Sequence, residues 1–425
     1  MNGKRMNEKK RVVVTGFGAI SPLGHDWPTA LAALRAERNK VAVMAGWEDY
    51  EGLNTQLGVP AQPFELPAHY NRKTMRSMGR VAVMATRASE LALIDAGLLG
   101  QGADAMQADP LLHSGRMGVS YGSSAGTPAA IGDFGRMIME KTTEGITANT
   151  YIKMMSHTAA VNIGVFFGLT GRVITTSSAC TSGSQGIGYA YEAIQSGRQV
   201  AMLAGGAEEL DATEAAVFDT LFATSTKNDQ PDHTPRPFDA ARDGLVLGEG
   251  ACTLVLEELE HARTRGATIH AELIGYGTNS DGSHVTHPKS ETMAQAMRLA
   301  LEDADIPASA IGYVNAHGTA TEQGDMAESA ATLAVLGARV PISSLKSYIG
   351  HTLGACGALE AWLSIEMMRE GWFAPTINLT QVDPRCAPLD YITQGGRELQ
   401  TDIVMSNNFA FGGINTSLIF RRWRD

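Results

Sequence analysis

Short apolar and β-branched runs alternate along this chain with stretches whose apolar residues recur at helical spacing. Val173-Ile174-Thr175-Thr176 reads as a buried strand, and Ile187, Tyr191 and Ile194 just downstream fall on one helical face. Strand and helix in alternation predict an α/β fold. The order of elements within residues 75–210 also recurs. A helix, "MATRASELALIDAGLL", leads to a strand and glycine-rich loop, "RMGVSYGSSAGT", and after a further helix to a second strand and loop, "VITTSSACTSG". Another helix then leads to "VAMLAGGAEE". Residues 291–413 repeat this order with "AQAMRLALEDADI", "IGYVNAHGTAT", "PISSLKSYIGHTLGACG" and "DIVMSNNFAFGG". Two similar halves are therefore expected, residues 11–266 and 267–425, joined near "HARTRGATIH".

Composition narrows the class. With 425 residues, 44% hydrophobic and 19% charged, 46 glycines and 16 prolines, the chain has the make-up of a folded, glycine-rich α/β enzyme. No disordered tail is expected beyond the first ten residues. The 34 basic and 45 acidic residues leave a net charge of −11, which argues against nucleic acid or an anionic membrane as partner. The four cysteines, Cys180, Cys252, Cys356 and Cys386, are far apart and form no CxxC. That fits a reducing compartment and argues against a disulfide framework or zinc ribbon. The opening "MNGKRMNEKK" is basic but leads into a short strand rather than an apolar signal segment, and no stretch is long enough to span a bilayer. The expected location is the cytoplasm.

Candidate chemistry centres on Cys180 in "TTSSACTSGSQG", at the turn between the predicted strand and helix. There unpaired N–H groups and the helix dipole favour an anion, so a thiolate is expected to form more easily than in free cysteine. Ser178, Ala179, Ser182 and Gly183 are small and leave room for a substrate. A small buried hydrophobe is the plainer reading of the same cysteine. Ligand-binding residues of parallel α/β sheets gather at the carboxyl ends of strands, and the matching ends of the second half carry His317 and His351, with Lys346 just before the latter. A thiol, two imidazoles and an ammonium are thus expected to converge between the halves.

Three motifs point elsewhere. "VVVTGFGAIS" begins like a dinucleotide fingerprint, but Ser21 replaces its third glycine and no well-placed acid follows. "GSSAG" satisfies the hydrolase pattern G-x-S-x-G around Ser124, yet that chemistry needs an acid and then a histidine, and His317 precedes Asp325. His284 and His287 of "HVTH" could suggest a metal pair, but sequence places no third ligand and a solvated loop is expected.

Together, Cys180, "NAHGTAT" and "KSYIGH" resemble the elongating type of β-ketoacyl-[acyl-carrier-protein] synthase in the thiolase superfamily. The likeness covers nearly all of residues 11–423, through "PRPFDAARDGLVLGEGA", "AELIGYGTNSDGSH" and "SNNFAFGGINTSLIF". It implies a thiolase-like fold, two similar halves in alternating helix and sheet layers. It also implies acyl carrier protein as partner and a homodimer, or else a heterodimer with a related subunit. No cofactor or metal is implied, the substrates being carried on the phosphopantetheine arm. Cys180 would be the acyl-accepting nucleophile, the N–H groups of Cys180 and Phe411 the oxyanion hole, and His317 and His351 the donors to the enolate left when a malonyl group loses its carboxylate. Lys346 would orient this network. Thr319 and Thr321 would contact the pantetheine arm, and Asp325 and Glu328 fall where supporting acids sit, an exposed helix N-terminus being their plainer account. The loop "FAFGG" lacks the second catalytic cysteine of true thiolases, and His351 stands where initiating synthases carry asparagine.

Two positions depart from the family pattern. Ala410 replaces the first glycine of the gating loop G-F-G-G, where a Cβ restricts backbone freedom. Ala125 stands where a larger residue often lines the acyl pocket, which implies tolerance of long or rigid chains. The resemblance leaves the natural chain open between ordinary fatty acids and a specialised polyene or polyketide. Carrier proteins are strongly acidic, so docking needs a local basic patch. "NRKTMRSMGR" supplies Arg72, Lys73, Arg76 and Arg80, the three arginines at helical spacing, with a solvated helix face as the alternative. The expected function is decarboxylative condensation in fatty acid biosynthesis. A serine hydrolase and a non-catalytic, carrier-binding partner subunit are the competing classes.

Overall fold

The apolar runs of the first half form strands β1 (Val12–Ile20), β2 (Met117–Gly122), β3 (Val173–Thr176), β4 (Ala201–Glu208) and β5 (Gly250–Glu258). Those of the second half form β6 (Ala271–Ser280), β7 (Tyr313–Asn315), β8 (Pro341–Ser343), β9 (Ile403–Ala410) and β10 (Ile414–Arg422). The main helices of the first half are α1 (Arg80–Asp95), α2 (Thr158–Phe167), α3 (Ser182–Gln195) and α4 (Ala212–Asp219). In the second half α5 (Ser290–Ala304), α6 (Glu322–Leu336) and α7 (Cys356–Glu370) follow. This computed structural model describes residues 9–424, and residues 1–8 of the basic opening stretch lie outside the described residues.

Strand order makes the internal repeat visible. The sheet runs Asp390–Tyr391, β8, β7, β9, β10, β6, β1, β5, β4, β2, β3. Read outward from the centre, each side shows the same succession of first, fifth, fourth, second and third strand. The pairing repeats too: β2 is parallel to β3 and β4, β7 is parallel to β8 and β9, and the other labelled neighbours are antiparallel. Within this sheet, among the described residues, the short pairing of Val12–Val14 with Ala271–Leu273 joins the two sides. Helices α3 and α7 pack between them, each touching strands of both halves, while α1 and α2 cover the outer face of the first side and α5, with α6 packed on it, that of the second. The result is alternating helix and sheet layers, as the resemblance implied. Residues 356–368 of α7 are buried on every side, the position a helix apolar all round must take. Burying each large side chain there, such as Leu359, Leu363 or Ile365, contributes about 1.5–3 kcal/mol.

The glycines of "TGFG" in β1 serve packing, which disposes of the dinucleotide reading. A Cβ at Gly16 or Gly18 would run into the backbone of α1 at Ala92 and Ala88. Gly275 and Gly277 of "IGYG" in β6 meet α5 at Ala300 and Ala296 in the same way. Close helix-on-strand contact is therefore a third sign of the repeat, written in sequence as G-aromatic-G.

One expectation about β3 fails. It is not a buried strand but the outer edge of the sheet, and Val173 is 50% exposed. β-Branched composition marks a strand without revealing whether a neighbour covers it. Among the described residues no helix is long and apolar enough to cross a membrane.

Candidate active site

Strand ends from both halves meet at one point. Cys180 follows β3 in a tight turn, Ala179–Thr181, that runs into α3. The preceding Ala179 has φ +50°, a left-handed value that costs a non-glycine residue about 1–3 kcal/mol and must be enforced by its surroundings. His317 follows β7, and His351 follows the short helix Lys346–Ile349 after β8. His351 Nε2 lies 3.0 Å from Cys180 Sγ. The two imidazole rings stand 5.1 Å apart and nearly perpendicular, at 88°. Lys346 Nζ lies 3.2 Å from His317 Nδ1 and is ion-paired with Glu360 of α7. An ammonium only donates, so His317 Nδ1 must accept and its proton must sit on Nε2.

Burial dominates the electrostatics. Burial, then the Lys346 charge, hold both His317 and His351 well below the usual imidazole range, so both are neutral. Burial alone would discharge Lys346, but Glu360 against it keeps the ammonium protonated. The Cys180 thiol is pushed up to about 11 by burial, against the opposing pull of Lys346 and of the Phe411 and Cys180 N–H groups. The expected easy thiolate is thus corrected: the helix-start environment does favour an anion, but desolvation outweighs it in the unacylated site. What the arrangement offers is a thiol beside a neutral imidazole, with two backbone N–H groups aimed at the sulfur.

A cavity of about 440 Å³ leads from the surface to Cys180, His317 and His351, and Thr319, Thr321 and Phe411 line its wall. The Thr319 and Thr321 hydroxyls are 2.9 Å apart. Asp325 and Glu328 do not lie at an exposed helix N-terminus; both are buried. Glu328 accepts from the N–H groups of His317 and Gly318 at 2.7 Å each, and burial raises its carboxyl to about 8. Asp325 accepts from Phe238 and Ala320, faces Arg242, and is raised by burial to about 6. Ala410 pairs with Ile414 in β9, an extended position any residue can take, and the left-handed turn beyond falls on Gly412 and Gly413. The Cβ at 410 therefore places no strain on the loop.

Other expected groups are placed differently. Ala125 is not among the residues lining this cavity; it is half-buried beside the end of β2, its N–H bonding Glu208. The Ser124 hydroxyl and N–H both bond Glu208, and no histidine is among their partners, so the hydrolase arrangement is not formed. Residues 72–77 form turns rather than a helix, opened by Asn71, which accepts the N–H groups of Lys73 and Thr74. Arg72, Lys73 and Arg76 are exposed, and Arg80, also exposed, opens α1 with a bidentate pair to buried Glu249 at 2.5 and 2.7 Å. His284 and His287 face each other at 2.8 Å at the cavity mouth.

Sequence reading missed several residues. Glu360 also accepts from Asn408 at 2.7 Å and from Asn315. Cys356, four residues earlier on α7, donates its thiol to the Cys180 carbonyl at 3.2 Å. A carboxylate inside the otherwise apolar "CGALEAWLSI" was the available signal. The donor atoms of Cys180, His317 and His351 cluster closely enough to hold a metal, as do those of His317, Cys356 and Glu360. In the second group the Lys346 ammonium, bonded to two of the three, already supplies the positive charge.

With this geometry in hand, comparison with known proteins is direct. The family model for the β-ketoacyl synthase N-terminal domain matches residues 9–262, and that for the C-terminal domain residues 270–380. Over 421 residues the chain is 37% identical to 3-oxoacyl-[acyl-carrier-protein] synthase 1 of Escherichia coli strain K12, spanning 98% of this chain and 100% of that protein. A crystal structure of a β-ketoacyl synthase from Burkholderia phymatum is 61% identical and superposes with a TM-score of 0.95 over 98% of this chain and 100% of that one. A type II PKS ketosynthase, bound to the hexaketide and in complex with its acyl-carrier protein, aligns at 30% identity and a TM-score of 0.82 over 98% and 100% of the two chains.

Proposed function

Because the chain belongs to the β-ketoacyl synthase family and acts as a condensing acyltransferase, a 3-oxoacyl-[acyl-carrier-protein] synthase of fatty acid biosynthesis, we propose that Cys180, His317 and His351 carry its reaction. The supporting observation is the thiol 3.0 Å from one neutral imidazole, with the second set perpendicular to the first, at the base of a cavity. Cys180 attacks an acyl thioester on the carrier's phosphopantetheine arm, which Thr319 and Thr321 hold. The acyl–sulfur bond to Cys180 forms, the arm leaves as a thiol with the proton, and the N–H groups of Cys180 and Phe411 hold the oxyanion. Malonyl-carrier protein follows. Its carboxylate departs as CO₂, and the electron pair moves onto the thioester oxygen as an enolate facing the two imidazoles. The enolate carbon attacks the acyl group, the Cys180 thiolate leaves and takes up a proton from solvent, and the 3-oxoacyl product stays on the carrier. Loss of CO₂ drives the step, so no free cofactor takes part. Lys346 positions the network and adds to burial in keeping both imidazoles neutral, hence able to donate a hydrogen bond without becoming acids.

A second copy of the chain is the assigned partner along β3, whose edge carries exposed Val173 and which contacts α2, where Val165 is 75% exposed. Arg72, Lys73 and Arg76, which make no ion pair among the described residues, would steer the acidic carrier protein. By family likeness Ala125 is assigned to an acyl channel distinct from the cavity it does not line, residues 11–266 and 267–425 to the two halves, and the enzyme to the cytoplasm. The intact mass of the protein after incubation with an acyl-carrier protein tests the central reading: an acyl adduct mapping to Cys180 is expected. An adduct on Ser124, or none with any acyl group, overturns it.

A further inference from the structure

The cavity that reaches Cys180 opens between residues 221–223, just after α4, and residues 284–288, beyond β6. Phe222 stands there 89% exposed, beside Leu221 at 45% and Val285 at 66%. Its φ of +53° is left-handed, a conformation that favours glycine or asparagine at a helix end. The Phe222 N–H closes the end of α4 by bonding the Asp219 carbonyl, and glycine would do the same without strain. The phenyl ring therefore contributes nothing to the turn. A large apolar ring held in water on a disfavoured backbone calls for something outside the chain to cover it.

Charge at the mouth points the same way. Among the described residues lining the cavity, Arg242 is the only lysine or arginine, and it is already paired with Asp325 and Asp383. An acidic carrier protein finds no free cation at the opening itself. Yet it must be held there while its arm reaches Cys180, and apolar contact is what remains. Phe218, one helical turn before Phe222, tilts against Phe411 with ring centroids 5.1 Å apart, so the rim adjoins the loop whose N–H faces the sulfur.

We propose that Leu221, Phe222 and Val285 form an apolar seat for the carrier protein around its phosphopantetheine attachment point, distinct from the steering charges at residues 72–76. This rests on the function proposed above. The test compares acylation of Cys180 by acyl-carrier protein with acylation by acyl-pantetheine, which has the arm but no protein, in the full chain and in Phe222→Gly and Phe222→Ala. With the carrier, kcat/KM should fall about tenfold or more, through KM and equally at low and high salt, as for loss of a buried aromatic anchor. With acyl-pantetheine the rate should stay within about twofold of the parent, the size of change that loss of a buried anchor far exceeds. Equal loss on both donors would assign Phe222 to the tunnel, and no loss on either would leave the rim without a docking role; each result overturns the seat. A parent protein that takes acyl groups from neither donor fails the reading of the site itself, a separate outcome.

Discussion

The two halves share a strand order but not a chemistry. At the end of β4 the first half buries Glu208, which accepts from Ser123, Ser124, Ala125 and Gly354 and makes no ion pair among the described residues. The carboxylate that supports the second half, Glu360, is met instead by Lys346, Asn408 and Asn315. One half thus builds a hydrogen-bonded brace under its loops and offers a single thiol. Its counterpart builds a charged network that sets two imidazoles. Duplication explains why strand ends converge; what each end carries decides the division of labour.

Breaking that division should have the largest effects. Cys180→Ala is expected to abolish condensation. His317→Ala and His351→Ala should each lower malonyl decarboxylation by about 10²–10³, the usual loss for one oxyanion donor, while Cys180 still takes acyl groups. Decarboxylation at the parent rate in either variant would remove that histidine from its role.

Next comes the ion-paired network against the hydrogen-bonded brace. Lys346→Met leaves Glu360 buried and unpaired and should destabilise the protein by about 3–5 kcal/mol, with Lys346→Met/Glu360→Gln recovering most of it. Glu208→Gln should cost less, about 1–3 kcal/mol, because it disturbs hydrogen bonds and no ion pair. Denaturant melts compare the three. Without Lys346 the Cys180 thiol should move above its value of about 11, so alkylation by iodoacetamide at pH 8 should slow. In the parent, alkylation should rise with pH up to that value, since only the thiolate reacts.

Ala125→Phe sharpens the comparison at the first-half loop. A folded variant that keeps short acyl groups and loses long ones is expected, because each methylene excluded from an apolar channel forfeits about 0.8 kcal/mol. Uniform loss across chain lengths would mean that the loop beside Glu208 simply tolerates no bulk. The smallest effect belongs to the surface: Lys73→Glu/Arg76→Glu should raise KM for acyl-carrier protein several-fold and flatten its salt dependence. An unchanged KM takes residues 72–76 out of docking.

Much of the architecture was legible because it rests on local pattern. Strand and helix periodicity, the repeated order of elements, and the small residues around Cys180 are all local, and Cys180, His317, His351 and Lys346 do meet in space. Position within the sheet was not legible, and β3 shows why: a β-branched run looks the same at the centre or the edge. The arginines at 72, 76 and 80 keep helical spacing, yet the backbone forms turns over 72–77 and the helix begins only at Arg80. Arg80 was claimed by Glu249, far along the chain.

Sequence by itself determined the α/β class, the doubled plan and the reactive groups, since these follow from residue type and short-range spacing. Tertiary structure decided which buried carboxylate meets a cation, that both imidazoles are neutral, and that desolvation lifts the Cys180 thiol against the pull of its helix start. Those outcomes are set by neighbours brought in from distant strands and by the exclusion of water. Neither can be read from a segment alone, because the field at a buried atom sums over everything packed around it.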